Sequence, residues 1–161
     1  MRARKEKQDW KIASEIELIY KNKVRVSERP HLSSSKTAYE LALKVWDMGK
    51  IEFFEQCKVF LLNRSNKVLG VYEVSSGGTS GISVDLKLLF ASVIKANASA
   101  FIMIHNHPSG KTLPSIADRL FTKKVNEAAA LLDIKLVDHL IVTLEGYYSF
   151  ADNGNFFEDG F

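Results

Sequence analysis

The sequence predicts one α/β domain in which a mixed central β-sheet is flanked by helices. The chain has 161 residues, which is about the length of a single domain. Short apolar runs of strand length alternate along it with longer segments whose apolar residues recur at helical spacing. No internal repeat, linker or low-complexity block divides the sequence. Strands that alternate with helices in this way form a sheet covered by helices.

The first half of the chain predicts strands, a helix and a hairpin. Apolar residues alternate with polar ones over residues 16–20 and again over residues 24–26, which is typical of half-buried strands. Ser33 and the two serines after it offer N-caps to a helix that ends at Gly49. Apolar runs on either side of a polar three-residue turn then predict a hairpin. Its strands are residues 57–63 and 67–74.

The second half predicts two helices and three strands. Asp85 can cap a helix over residues 86–96. The apolar run at residues 98–104 predicts a buried strand, and a polar loop with Pro and Gly separates it from a helix that begins at Ser115. Two further strands, joined by a Glu-Gly turn, complete the sheet. They are residues 134–143 and 147–150.

Composition divides the chain into a domain and two terminal segments. Residues 1–30 form a basic arm or a strand pair, because the first 29 residues hold nine Lys/Arg against five Asp/Glu. Residues 31–150 form the folded domain, and residues 151–161 form a loosely held tail. The arm could contact nucleic-acid phosphates, although short charged termini are more often simply solvated.

The composition also excludes several classes of protein. Cys57 is the single cysteine, so an intrachain disulfide and a four-cysteine zinc site are both excluded. No apolar run has the length of a signal peptide or approaches the roughly 18 residues of a membrane span. These features predict a cytoplasmic protein without a membrane partner. A chain of this length builds its own core, so a metal would serve chemistry rather than folding.

The segment HNHPSGKTLPSIAD, residues 105–118, carries the chemistry. His105 and His107 stand two residues apart at the end of a predicted strand, so both side chains point to the same side. Asp118 enters from the first turn of the next helix. Two neutral imidazoles and a carboxylate suit Zn²⁺, and three protein ligands leave the fourth tetrahedral position to a water. Zinc there would acidify that water and polarise a carbonyl, as amide hydrolysis requires.

The same residues have simpler interpretations. Ser115 and Asp118 stand at the spacing of a capping box, which alone would explain both as the start of a helix. A histidine pair at this spacing can also arise by chance. The conjunction is more specific, because the pair follows a buried strand and precedes an aspartate in a helix's first turn.

The sequence reads His105-x-His107-Pro108, with seven residues between His107 and Ser115 and two more between Ser115 and Asp118. This spacing resembles the JAMM signature of the JAB/MPN metallopeptidases. The resemblance implies that His105, His107 and Asp118 bind one zinc ion, with a water as the fourth ligand. It also implies that Ser115 hydrogen-bonds the developing oxyanion of the substrate.

Two further strings narrow the resemblance to the bacterial RadC branch. VDHLIV at residues 137–142 and GYYSF at residues 146–150 resemble RadC proteins, and the likeness covers roughly residues 30–150. It implies a single-domain α/β/α JAB/MPN fold of the cytidine-deaminase-like kind, with a mixed central sheet flanked by helices. The family also places a catalytic glutamate before a strand upstream of the motif.

Glu55 is the candidate for that glutamate, because it stands directly before the apolar strand of the hairpin. Its implied role is general base on the attacking water and then general acid to the leaving amine. Glu52 and Glu73 are rivals, and Glu55 could also be a solvated residue at a strand end.

The sequence thus supports a zinc-dependent peptidase or isopeptidase that acts on an unidentified protein or peptide. An alternative is a non-catalytic JAB-fold interaction module in DNA repair or mobile-element maintenance, which binds partners or nucleic acid through the basic arm. In a third hypothesis the zinc is structural and His139 closes it as a fourth protein ligand. More common roles for a buried histidine of this kind are a core residue whose hydrogen bonds are satisfied, or a residue that hydrogen-bonds a ligand from behind.

Overall fold

A five-stranded mixed sheet with helices on both faces forms the centre of the fold, as the sequence predicts. The computed structural model describes residues 23–77 and 84–154. The strands are β1 (Gln56–Leu62), β2 (Val68–Ser76), β3 (Ala100–Asn106), β4 (Lys135–Val142) and β5 (Tyr147–Ser149). The helices are α1 (Ser35–Val45), α2 (Leu86–Lys95) and α3 (Ile116–Leu131).

The strand order β2-β1-β3-β4-β5 brings the polar segment of the sequence to one edge of the sheet. Strand β3 runs antiparallel to β1 and parallel to β4, with α3 as the crossover between the parallel pair. The register places Cys57 opposite His105, and Asn106 opposite Val142. The carboxyl ends of β3 and β4 therefore meet the amino end of β1, the usual location of a site in such a sheet.

Both faces of the sheet are apolar because successive side chains of β3 point to opposite sides. Phe101 and Met103 pack with α2 and α3, whereas Ile102 and Ile104 pack with α1. Phe101 is fully buried and meets Phe90 edge to face. Burial of a side chain of this size contributes about 1.5–3 kcal/mol to stability. The two cores fix β3, and with it the polar residues at its end.

The structure departs from the sequence prediction at several elements, and three of these differences have a physical reason. Residues Val26–Glu28 form a 3₁₀ turn, not the predicted strand, and Val26 stays 53% exposed, so alternation here does not reflect burial. Helix α1 ends at Val45, before Gly49, because Trp46 turns into extended backbone and buries its ring beneath Lys58. Strand β3 continues to Asn106, where a loop was predicted.

The terminal segments are described only in part. Most of the basic arm, including the strand predicted at residues 16–20, lies outside the described residues, as do residues 155–161. Residues 151–154, assigned from the sequence to a loose tail, form turns held by the sheet. The backbone N–H of Ala151 donates to Asp138, and the side chain of Asn153 donates to the carbonyl of Ser149. Within the described ranges, no helix has the length and apolar character needed to cross a membrane.

Candidate metal centre

Two histidines and an aspartate converge where β3 ends and α3 begins. His105 is fully buried on β3, His107 follows it partly exposed, and Asp118 projects from the first turn of α3. The Nε2 atoms of His105 and His107 are 3.0 Å apart. The carboxylate of Asp118 lies 3.3 Å from the first of these nitrogens and 3.6 Å from the second. The three metal ligands predicted from the sequence therefore form one group, with ligand atoms within 4.8 Å of one another.

The spacing of these donor atoms suits a tetrahedral metal ion. Ligands at about 2.0–2.1 Å from a tetrahedral Zn²⁺ lie roughly 3.3 Å from one another. The observed separations of 3.0, 3.3 and 3.6 Å bracket that value. Two imidazoles and one carboxylate are also typical zinc ligands, and three of them leave one position open. The residues present therefore fit a zinc ion.

The protonation of the group also suits a cation. Nδ1 of His107 lies 2.7 Å from the carbonyl oxygen of Lys111, which can only accept, so Nδ1 carries the hydrogen and a neutral ring offers Nε2 as a ligand. Hydrogen bonding to Asp118 raises the pKa of His107, whereas burial lowers the pKa of His105. Burial alone would raise the pKa of Asp118, but the two histidines beside it, which donate to it when their rings are protonated, and a hydrogen bond from Ser115 hold it well below its usual range. Asp118 is therefore a carboxylate at neutral pH.

Ser115 forms the capping box that its spacing predicts. Its hydroxyl accepts from the backbone N–H of Asp118 at 3.1 Å and donates to Oδ2 of that carboxylate at 2.6 Å. Its own backbone N–H donates to the same oxygen at 2.7 Å. The cap that begins α3 therefore also orients the carboxylate of Asp118 in the ligand group.

Glu55 lies on the same cavity as the ligand group. This cavity of about 820 Å³ is lined by Glu55, His107, Ser115 and Asp118, and both polar and apolar side chains, Cys57 among them, form the remaining wall. Oε2 of Glu55 is buried and has no hydrogen-bond partner among the described residues. Neither rival glutamate lines the cavity, since Glu73 pairs with Lys58 and Glu52 is exposed.

Asn106, between the two histidines, fixes the backbone on either side of Glu55. Its side chain is fully buried and faces α1, opposite to the histidines. Nδ2 donates to the carbonyls of Ile51 at 2.7 Å and Phe54 at 2.9 Å, and Oδ1 accepts from the N–H of Gln56 at 2.7 Å. The sequence did not predict this role, although it carried a signal for it. Asn106 is polar but must face the core, because its neighbours His105 and His107 both face the site.

His139 lies behind His105 rather than beside the ligand atoms. Its Nε2 is 2.7 Å from Nδ1 of His105, and its Nδ1 is 2.6 Å from the hydroxyl of Thr122. Its ring stacks on Phe150 with centroids 4.7 Å apart, and burial holds its pKa well below the ordinary value. Its nitrogens are thus engaged away from the ligand group, unlike a fourth ligand. Thr122 was also missed, although it stands one helical turn after Asp118.

Cys57 does not suit nucleophilic chemistry. It lines the cavity but is buried, and burial raises the pKa of its thiol to about 12. The thiolate is the nucleophilic form, so at neutral pH the side chain acts as a small apolar residue of the core.

The mixed sheet, the helices on its two faces and the His-His-Asp group at its edge define an α/β domain of the JAB type. The sequence profile described as the RadC-like JAB domain matches residues 32–155, which is well over half of the chain. The chain therefore belongs to the RadC-like JAB domain family.

Similar proteins of known sequence come from several bacteria. A UPF0758 protein of Flavobacterium johnsoniae is 42% identical over 125 residues, which cover 78% of this chain and 53% of that protein. UPF0758 proteins of Porphyromonas gingivalis and Thermotoga maritima are 45% and 39% identical over 101 and 100 residues, which cover 62% of this chain in each case and 44% and 45% of those proteins. The chain spans about half the length of these curated relatives.

Proposed function

We propose that this domain is a zinc-dependent hydrolase of amide bonds, acting as a peptidase or isopeptidase. One observation carries the proposal: two imidazole nitrogens and a carboxylate converge at 3.0–3.6 Å on a cavity that also holds a buried oxygen of Glu55 without a hydrogen-bond partner among the described residues. A metal-ligand group alone would suit a structural metal equally well. A second carboxylate beside it, with one oxygen not engaged by the described residues, suits proton transfer.

His105, His107 and Asp118 would hold the metal. When bound, Zn²⁺ supplies Lewis acidity to a water and to a substrate carbonyl. The carboxylate of Glu55 accepts a proton from the attacking water and donates it to the leaving amine, so the charge on Glu55 is the same at the end as at the start. The side chain of Asn106, bonded to the backbone on either side of Glu55, holds Glu55 at the start of β1 while this occurs.

Ser115 is a hydrogen-bond donor on the cavity, next to Asp118. Its hydroxyl hydrogen is shared with Asp118 at 2.6 Å. Turning that hydrogen toward the substrate would place a donor at the oxygen that gains negative charge during attack. Asp118 keeps the backbone N–H of Ser115 as a partner during this exchange.

Metal content per chain tests the site directly. Wild-type protein and His107→Ala, purified identically and then supplied with zinc, are compared by inductively coupled plasma mass spectrometry. We expect about one zinc per wild-type chain and little in the variant, because loss of one of three ligands weakens binding strongly. Zinc at the same ratio in both proteins, or in neither, would contradict the proposal.

Hydrolysis is then tested with the zinc-loaded protein on two substrate sets. One is a complex peptide library, and the other is a set of peptides joined through lysine side chains. New amino termini detected by mass spectrometry report cleavage, and their absence in the Glu55→Gln protein assigns it to this site. Cleavage that persists in Glu55→Gln and also in His107→Ala comes from a contaminating peptidase. Cleavage that persists in Glu55→Gln but is lost in His107→Ala would count against Glu55.

A further inference from the structure

A chain of hydrogen bonds runs from the backbone of α3 to the back of the ligand His105. The hydroxyl of Thr122 donates to the carbonyl oxygen of Asp118 at 2.6 Å and lies 2.6 Å from Nδ1 of His139. Nε2 of His139 lies 2.7 Å from Nδ1 of His105. All three side chains are at most 2% exposed, so water does not compete for these contacts. The chain connects three elements, namely α3, β4 and β3.

The direction of every hydrogen bond in this chain follows from its first member. A carbonyl oxygen can only accept, and a threonine hydroxyl has one hydrogen, so Thr122 spends that hydrogen on Asp118. The hydroxyl oxygen must then accept from Nδ1–H of His139. A neutral imidazole with its hydrogen on Nδ1 accepts at Nε2, so Nδ1 of His105 donates to it. His105 is left with a lone pair on Nε2, facing Asp118.

We propose that Thr122 and His139 are positioning residues that fix His105 in the tautomer able to bind zinc. The inference rests on the proposed zinc site and adds the reason why the hydrogen of His105 is on Nδ1 and not on Nε2. His107 reaches the same tautomer by a separate route, through the carbonyl of Lys111. The two ligand lone pairs are therefore set by two independent backbone carbonyls, those of Asp118 and Lys111.

The opposite tautomer would break the first hydrogen bond of the chain. A hydrogen on Nε2 of His105 would require Nδ1 of His105 to accept from His139, whose own Nδ1 could then only accept the hydrogen of Thr122. The hydroxyl of Thr122 would have to give up its bond to the carbonyl oxygen of Asp118. The chain thereby disfavours the form of His105 that carries a proton where the metal binds. Outer partners of this kind typically change metal affinity by about 10- to 100-fold.

Substitution of Thr122 tests the proposal through zinc affinity. Thr122→Val keeps the shape but removes the hydroxyl, whereas Thr122→Ser keeps the hydroxyl. Zinc affinity is measured by competition with a chromophoric chelator. We expect about 10- to 100-fold weaker binding in Thr122→Val and near-wild-type binding in Thr122→Ser. Thr143→Val is the matched control, because Thr143 is also buried but bonds to the turn at Gly146. The control should lose stability without losing zinc affinity.

The tautomers themselves are measured in the metal-free wild-type protein. The chain has four histidines, so the imidazole nitrogens of ¹⁵N-histidine-labelled protein can be assigned by nuclear magnetic resonance. We expect hydrogen on Nδ1 in both His105 and His139.

Two results would overturn the proposal. They are hydrogen on Nε2 of His139, or zinc affinity of a folded Thr122→Val within threefold of wild type. If the wild type binds no zinc, the proposed function fails, while the tautomers in the metal-free protein still decide this inference.

Discussion

At the scale of single residues, each candidate ligand is held by a second polar contact. His105 is backed by His139, His107 by the carbonyl of Lys111, and Asp118 by Ser115. Such outer contacts fix the orientation of a ligand before the metal arrives, so binding does not require the site to rearrange. Glu55 is the exception, because its buried oxygen has no partner among the described residues. That contrast separates the proposed proton carrier from the proposed ligands.

The role of Glu55 is tested by Glu55→Gln, with Glu52→Gln as the matched control. Both changes remove one negative charge from the same segment, but Glu52 is exposed and does not line the cavity. We expect Glu55→Gln to keep about one zinc per chain and to lose hydrolysis by about 10²- to 10⁴-fold, the usual contribution of a general base. Glu52→Gln should match the wild type in both. Loss of zinc in Glu55→Gln would instead make Glu55 a ligand.

The sequence predicted the ligand group that the structure brings together, but not the contacts that support it. His105, His107 and Asp118 are close along the chain, and the strand and helix periods are enough to bring them together. Thr122 and His139 could not be placed in the same way, because their contact depends on how α3 packs on β4. The pairing of His139 beside Met103 puts its ring next to His105, and no local pattern encodes that register.

At the scale of the elements, β3 positions both halves of the proposed chemistry. Its alternation sends His105 to the side of α3 and Asn106 to the side of α1, where Asn106 grips the segment that carries Glu55. The strand predicted from the sequence ends at residue 104, two residues too early, because polar residues follow the apolar run. They belong to the strand since their buried groups all find partners.

Asn106→Asp tests this clamp, with Asn63→Asp as the control. Aspartate keeps an acceptor for the N–H of Gln56 but cannot donate to the carbonyls of Ile51 and Phe54. Two buried carbonyls would lose their donor, so we expect the free energy of unfolding to fall by about 2–5 kcal/mol. Among the described residues, Asn63 uses only its side-chain oxygen, accepting from two backbone N–H groups, so the same change there should cost under about 0.5 kcal/mol. Urea denaturation measures both, and equal effects would contradict the clamp.

At the scale of the whole molecule, two further features lead to predictions. Nucleic-acid contact through the basic arm stays a prediction from the first 29 residues, most of which lie outside the described residues. If the arm binds DNA through phosphates, affinity should fall steeply between 50 and 200 mM salt and should weaken further when Arg2, Arg4 and Lys5 are replaced by Gln. Fluorescence anisotropy with a labelled duplex measures both. Binding that is indifferent to salt would contradict the prediction.

The second feature is a buried carboxylate that joins β4 to β5 and to the start of the tail. Asp138 accepts from the hydroxyl of Ser149 and from the backbone N–H groups of His139 and Ala151. Burial raises its pKa to about 6, although these hydrogen bonds oppose the shift. The unfolded value is about 3.9. The folded protein therefore binds the extra proton between about pH 4 and pH 6, and this contribution to stability is lost as pH rises through that range.

Asp138→Asn isolates this contribution, because asparagine imitates the neutral side chain. Its oxygen can accept from the two backbone N–H groups, and its Nδ2 can donate to the hydroxyl of Ser149 in a hydrogen bond of reversed direction. A shift of about two units corresponds to at most about 3 kcal/mol. We expect the free energy of unfolding of wild type, measured by urea denaturation relative to the variant, to fall by about 1–3 kcal/mol from pH 4 to pH 6.5. Groups that titrate in both proteins cancel in this difference. At pH 7.5 the variant should be at least as stable as wild type. A variant less stable by 1 kcal/mol or more at that pH would mean that the hydrogen bonds outweigh burial and that Asp138 is an ordinary stabilised carboxylate.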